Sequence, residues 1–149
     1  MLQRLHIQNY AIINELEIDF SDKLNIITGE TGAGNSILMG ALSLILGERA
    51  DSSVLQQKEK KAVIEGSFKA TNKKAITDFL KENDLDAEDM LMIRREIAAN
   101  GKSRAFINDT PVTLDVMRKI GSLLMDIHSQ HETLLLGNQI FQLRLVDAF

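Results

Sequence analysis

A glycine-rich stretch between two apolar segments most constrains what this chain can fold into. The run Leu24–Thr28 (LNIIT) is short and apolar, which favours a central, buried strand. It is followed by Gly29–Gly34, six residues of which three are glycine. From Ser36 the segment ILMGALSLILG is apolar almost all round, which is typical of a buried helix that ends at Gly47. The order therefore predicts a strand, a tight loop and a helix.

The loop matches a template for phosphate binding, G-x-x-x-x-G-K-[ST]. Glycines in such a loop allow backbone N–H groups to turn towards phosphate oxygens, and the N-terminus of the following helix adds its dipole. A serine hydroxyl at the last position would ligate Mg²⁺. The predicted nucleotide-binding residues are Gly29, Glu30, Thr31, Gly32, Ala33, Gly34, Asn35 and Ser36, with Ser36 as the metal ligand.

One position departs from the template, because Asn35 stands where the lysine is expected. Asparagine is neutral and too short to reach the β- and γ-phosphates. Losing a charge-assisted contact costs about 1.5–3 kcal/mol, or roughly 10- to 150-fold in affinity. Losing a cation that stabilises the transition state costs about 10²–10³ in rate, by analogy with an oxyanion-hole donor. The sequence therefore predicts weak nucleotide binding and poor hydrolysis.

Composition excludes several classes of protein. The chain has 149 residues, a net charge of −4 and no cysteine, which excludes a disulfide framework and a thiolate metal site. No apolar run is long enough to span a bilayer, and we see no signal peptide at the N-terminus. We therefore expect one domain over residues 1–149, in the cytoplasm and without a membrane partner.

The rest of the chain alternates strand and helix patterns. Apolar residues alternate with acids at Leu16–Phe20, which predicts a half-buried strand with a wet acidic face. Asn100-Gly101 is a strong hairpin signal between two further strands. The other predicted elements are strands at 62–68, 90–97, 103–107 and 123–127, helices at 73–83, at 113–121 and from about 138, a turn at 108–111 and a polar loop at 128–132.

Four cations cluster around the predicted hairpin: Arg94, Arg95, Lys102 and Arg104. Strand alternation places Arg94 and Arg95 on opposite faces, so at most three of the four share a surface. Such a patch fits weak, sequence-independent contacts with DNA phosphates. A hairpin whose charged side chains simply face solvent also accounts for this cluster, and both interpretations stay open.

Several segments together resemble a known family. They are MLQRLHIQNYAII, GETGAGNS, LILGERAD, NGKSRAFIND followed by TPVTL, and MDIHSQHET. The chain resembles the RecN family of bacterial DNA repair proteins, in the structural-maintenance-of-chromosomes (SMC) group of ABC-type ATPases. The resemblance implies an α/β P-loop NTPase fold: the N-terminal lobe of an ATPase head, with a mixed sheet and antiparallel strands. It also implies that a coiled coil follows residue 149, and that the chain is half a head without the Walker B and signature motifs.

The resemblance further implies ligands and partners. The cofactors would be ATP and Mg²⁺, with Gly29–Ser36 on the triphosphate. Gln130, after a predicted apolar strand, would hold Mg²⁺ and the attacking water as a catalytic residue. Arg49 would face phosphate or DNA, although a surface cation near a helix end is an equal alternative. The partners would be the other half of the same head, a second head, and the ends of broken DNA in the nucleoid.

Two other functions stay open on the sequence alone. One is a different P-loop enzyme, such as a small-molecule kinase or a GTPase. The strand-rich start of the chain favours an ABC-type lobe over these, and a guanine-specifying N-K-x-D motif is absent. The other is a non-catalytic interaction domain that has kept the fold and lost the lysine.

Overall fold

The computed structural model describes residues 2–20, 25–28, 35–69, 74–85, 87 and 89–128, with the backbone alone at 25–28, 35–36 and 125–128. The described part is a seven-stranded sheet with helices packed against it. In chain order the elements are β1 (Leu2–Tyr10), β2 (Ile13–Asp19), β3 (Asn25–Thr28), α1 (Asn35–Ile45), a 3₁₀ turn (Ser52–Val54), β4 (Ala62–Lys69), α2 (Lys74–Glu82), β5 (Met90–Ile97), β6 (Ser103–Ile107), β7 (Thr110–Val112) and α3 (Leu114–His128).

The strand order is β3-β2-β1-β4-β5-β6-β7, and every described pairing is antiparallel. The predicted central position of the strand Leu24–Thr28 is wrong, since β3 lies at one end of this order. A short apolar run indicates burial but carries no information about the neighbours of a strand. β3 is thus joined to the other described strands through β2 alone.

Alternation along the strands separates a buried face from a polar face. Ile7, Ile64 and Ile93 are fully buried, and α1 packs against this face at β4 and β5. The opposite face carries a row of register partners that runs from Glu17 through His6, Glu65 and Arg94 to Phe106. The predicted wet acidic face of β2 is confirmed, with Glu17 in an ion pair 2.8 Å from Arg4.

α1 ends as the sequence predicts. Gly47 has φ +104°, the N–H of Glu48 donates to the Ser43 carbonyl, and the N–H of Gly47 donates to the Leu44 carbonyl. This is a Schellman stop, in which a glycine takes the left-handed conformation and late helix carbonyls are satisfied. Gly47 is also sterically required, because an added Cβ would lie 2.7 Å from the Arg118 Cα.

The last described helix differs from the prediction. The sequence suggests a helix that ends near Gly121 and a strand at 123–127, yet α3 continues through to His128. Gly121 is a packing residue: a Cβ there would lie 2.9 Å from the carbonyl oxygen of Leu46. Glycine lets α3 approach the end of α1 closely, so it does not mark a helix end here. The predicted helix start is confirmed, since the Thr113 hydroxyl accepts from the N–H of Val116.

Candidate nucleotide-binding site

The glycine-rich loop joins β3 to α1. β3 ends at Thr28 and α1 begins at Asn35, so the helix starts where the phosphate-binding template requires it. The first N–H groups of an α-helix have no partner within the helix, and they attract anions. Residues 29–34 lie outside the described residues, and Asn35 and Ser36 are described by their backbone alone. Their roles towards nucleotide and Mg²⁺ stay predictions.

The far end of α1 is held by a buried arginine. Arg95 on β5 is 1% exposed. Its Nη1 donates to the carbonyls of Leu44 (2.8 Å) and Glu48 (2.6 Å), and its Nε donates to the Ser103 hydroxyl (2.7 Å). Burial lowers the pKa of the Arg95 guanidinium from its ordinary value. The sequence groups Arg95 with the three other cations of the hairpin and does not predict its contacts with the end of α1.

Strand parity was the signal that could have separated Arg95 from its neighbours. The buried residues of β5 are Leu91, Ile93 and Ile97, and Arg95 falls on the same alternation. The prediction that Arg94 and Arg95 face opposite sides of the sheet is confirmed. An arginine at an apolar position of a strand indicates a buried cation that needs acceptors nearby.

The cluster of cations at the hairpin is only partly available to an anion. Nη1 of Arg94 lies 2.9 Å from Oδ1 of Asp109 and 3.6 Å from Oε2 of Glu65, and its Nε lies 3.3 Å from Oε2 of Glu96. The central carbon of its guanidinium lies over the Phe106 ring, 4.3 Å from the ring centre. Three carboxylates therefore offset its charge. Lys102 and Arg104 are both exposed. These two are the cations of the cluster that the structure leaves facing solvent.

Arg49 is exposed beyond the end of α1. It lines an open cleft of about 520 Å³ together with Tyr10, Ser43, Asp51 and Ser53. The Tyr10 side chain is nearly buried against α1, where a Cβ at Gly40 would lie 2.5 Å from its hydroxyl oxygen. Burial raises the pKa of the Tyr10 phenol. The structure thus places Arg49 on the surface beside α1.

Gln130 lies outside the described residues. The prediction for it depended on a preceding apolar strand, and the structure has α3 there instead. Its catalytic and Mg²⁺-holding role stays a prediction.

Among the residues that the structure describes, no three acidic, histidine or cysteine side chains lie close enough to hold a metal ion. Within the same ranges, no helix is both long and apolar enough to cross a membrane.

Comparison with known proteins identifies sequence relatives of the whole chain. Residues 4–146 match the model of an AAA domain, AAA_23. The DNA repair protein RecN of Bacillus subtilis is 41% identical over 150 residues, and RecN of Vibrio cholerae is 38% identical over 149. Each alignment covers 100% of this chain but only 26% and 27% of those relatives. The chain therefore spans about a quarter of the length of the curated relatives it matches.

Solved structures agree on the fold. A chain from work on ATP-driven dimerization and DNA-stimulated activation of SMC ATPases has a TM-score of 0.61 at 20% identity, covering 83% of this chain and 79% of that chain. An Smc head domain from Pyrococcus furiosus, bound to the C-terminal domain of ScpA, has a TM-score of 0.61 at 16% identity, covering 83% and 33%. The predicted fold class, the N-terminal lobe of an SMC-type head, is confirmed. The chain belongs to the AAA_23 family of AAA domains, with RecN proteins as its relatives in sequence.

Proposed function

We propose that this chain is the N-terminal nucleotide-binding segment of a RecN-like ATPase head, acting in the repair of broken DNA. The observation that carries the proposal is the start of α1 at Asn35, directly after the loop 29–34. A phosphate group there would meet the unpaired N–H groups of the first helical turn. The relatives, which are named as DNA repair proteins, supply the biological setting.

The residues fit ATP and Mg²⁺ at all but one position of the template. The short connection from β3 to α1 suits a loop that wraps phosphates with backbone N–H groups. Ser36 would ligate Mg²⁺ through its hydroxyl, and Gln130 would approach the same ion. Asn35 is neutral and offers no charge-assisted contact to the β- and γ-phosphates, so ATP binds weakly. Magnesium would offset part of this charge.

Turnover needs groups beyond this segment. In the proposed assembly the other half of the same head and a second head complete the site around ATP. The chain spans about a quarter of the length of its relatives, so we assign those groups to the part of the relatives that it does not cover. ATP binding would then drive dimerisation of the heads, and the weak binding caused by Asn35 would impair it.

We expect the purified chain to bind Mg-ATP weakly and to hydrolyse none above background. Calorimetric titration with Mg-ATP measures the binding, and phosphate release measures turnover. Ser36→Ala should remove the dependence of binding on Mg²⁺, because the hydroxyl ligand is lost. Ser122→Ala, an exposed serine on α3, is the matched control. Robust Mg²⁺-dependent hydrolysis by this chain would contradict the proposal, as would binding of equal strength with and without the Ser36 hydroxyl.

DNA should bind this chain weakly and without sequence preference. Because Arg94 is offset by three acids, Lys102 and Arg104 give a patch of about two phosphate contacts, a salt slope of about −2 and a Kd no better than roughly 10⁻⁴–10⁻⁶ M. Fluorescence anisotropy on a labelled duplex at several salt concentrations measures both quantities. The double variant Lys102→Ala/Arg104→Ala should flatten the slope.

The control for that experiment removes two exposed lysines from α2, Lys74→Ala/Lys81→Ala, with the same change in net charge. It should leave the salt slope unchanged. Nanomolar affinity, or equal effects of the two double variants, would show that DNA contacts this chain elsewhere.

A further inference from the structure

We propose that Arg95 is a positioning residue for the nucleotide loop: it fixes the C-terminal end of α1 against the β5–β6 hairpin and so sets where the N-terminal end of α1 meets the phosphates. The inference rests on the proposed nucleotide-binding function of residues 29–36. Arg95 is distant in sequence from residues 29–36 and lies on a different element of the fold, β5.

The contacts of Arg95 are well suited to holding a helix end. One nitrogen, Nη1, donates to both Leu44 and Glu48, on either side of the stop at Gly47. The last carbonyls of a helix lack partners within it and carry partial negative charge. None of the ion pairs between described residues involves Arg95. Its charge is therefore offset by carbonyl dipoles at the end of α1.

The hairpin end of this contact is also fixed. The Ser103 hydroxyl accepts from Nε, and Ser103 is the register partner of Ile97 at the first pair of β6. The planar guanidinium is thus held by acceptors on two elements. Lysine offers a single charged nitrogen without this fork, so it could not make the three bonds in the same geometry.

A second element closes on the same helix end. Arg118 of α3 donates from Nη2 to the Gly47 carbonyl at 3.3 Å, and Gly121 lets α3 approach Leu46. The end of α1 is thus enclosed by β5, β6 and α3. α1 has 11 residues, about 16 Å at 1.5 Å per residue. A helix this short acts as a rigid element, so a shift or tilt of its C-terminal end also moves its N-terminal end. Releasing Arg95 would therefore displace the first turn of α1 relative to β3.

Loss of Arg95 would also impair binding if Arg95 only stabilised the fold. The experiment must therefore distinguish a displaced α1 from a less stable domain. Arg95→Met keeps an apolar stem and removes all three hydrogen bonds, whereas Arg95→Lys keeps the charge. Leu80→Ala is the matched control: it removes a side chain that is 1% exposed on α2, and α2 packs on α3. All variants are made both with Asn35 and with Asn35→Lys.

Mg-ATP affinity is measured below the melting transition of every variant, where circular dichroism shows each to be folded. We expect Arg95→Met to weaken binding by a factor of about 2 to 30, as for residues coupled to a site through packed elements. Arg95→Lys should weaken it as well. Leu80→Ala should lower the melting temperature without changing the affinity. Equal affinities in wild type and Arg95→Met would overturn the inference while leaving the proposed function intact.

Hydrogen exchange of α1 provides a readout that needs no nucleotide. Arg95→Met should speed exchange of the α1 amides relative to β1 and β2, whereas Leu80→Ala should not. If neither the natural chain nor Asn35→Lys binds Mg-ATP, the proposed function fails, and with it the role of Arg95 at a nucleotide. Fast exchange confined to α1 would then still show that Arg95 holds this helix, and unchanged exchange would refute even that.

Discussion

Leu42→Asp should abolish the native fold. Leu42 lies on the buried face of α1, which packs against β4 and β5. Losing the leucine contacts costs about 2–5 kcal/mol, and burying an unpaired carboxylate adds several more. The sum is comparable to the free energy of unfolding of a whole domain, which is about 5–15 kcal/mol. Loss of the cooperative thermal transition, followed by circular dichroism, is the expected result.

Met39→Asp is the control for that substitution. Met39 lies on the same helix and is 50% exposed, so an added charge stays in water. We expect its melting temperature to stay within about 2 °C of that of the natural chain, since substitutions on the surface change the free energy of unfolding by no more than about 0.5 kcal/mol. A folded Leu42→Asp variant with an unchanged melting temperature would contradict the described packing of α1.

Asn35→Lys should tighten Mg-ATP binding by roughly 10- to 150-fold, because it restores a charge-assisted contact worth about 1.5–3 kcal/mol. It should create no turnover, since the proposed site needs the rest of the head. Calorimetry with Mg-ATP measures the gain in affinity. Asn35→Gln lengthens the side chain without adding a charge, and it should leave binding weak. An equal gain from glutamine would show that length rather than charge limits binding at this position.

Local signals in the sequence predicted much of the fold. The Asn100-Gly101 hairpin between β5 and β6 is confirmed, with Gly101 at φ +87°. The stop at Gly47 is also confirmed. These predictions succeed because a left-handed backbone conformation strongly favours glycine, so the residue type reports the local geometry directly.

Other features depended on contacts between distant elements. The prediction of a helix end at Gly121 is wrong, because the glycine is needed for the close approach to Leu46, a contact with a distant part of the chain. The turn predicted at 108–111 is shorter than expected: Asn108 and Asp109 both have positive φ, and Thr110–Val112 forms β7. The contacts of Arg95 could not be predicted from the sequence, because they depend on the end of α1 lying against β5. The alternation of side chains along a strand predicts that Arg95 is buried, but it cannot identify the carbonyl groups that accept its hydrogen bonds.

Binding of nucleotide phosphates by residues 29–36 can be measured residue by residue by amide NMR. Mg-ATP is added to the ¹⁵N-labelled Asn35→Lys variant, and the spectrum is followed residue by residue. We expect the largest chemical-shift changes on residues 29–36 and the first turn of α1, with little change in β7. Shifts centred on the cleft beside Arg49, or none at millimolar Mg-ATP, would contradict this expectation.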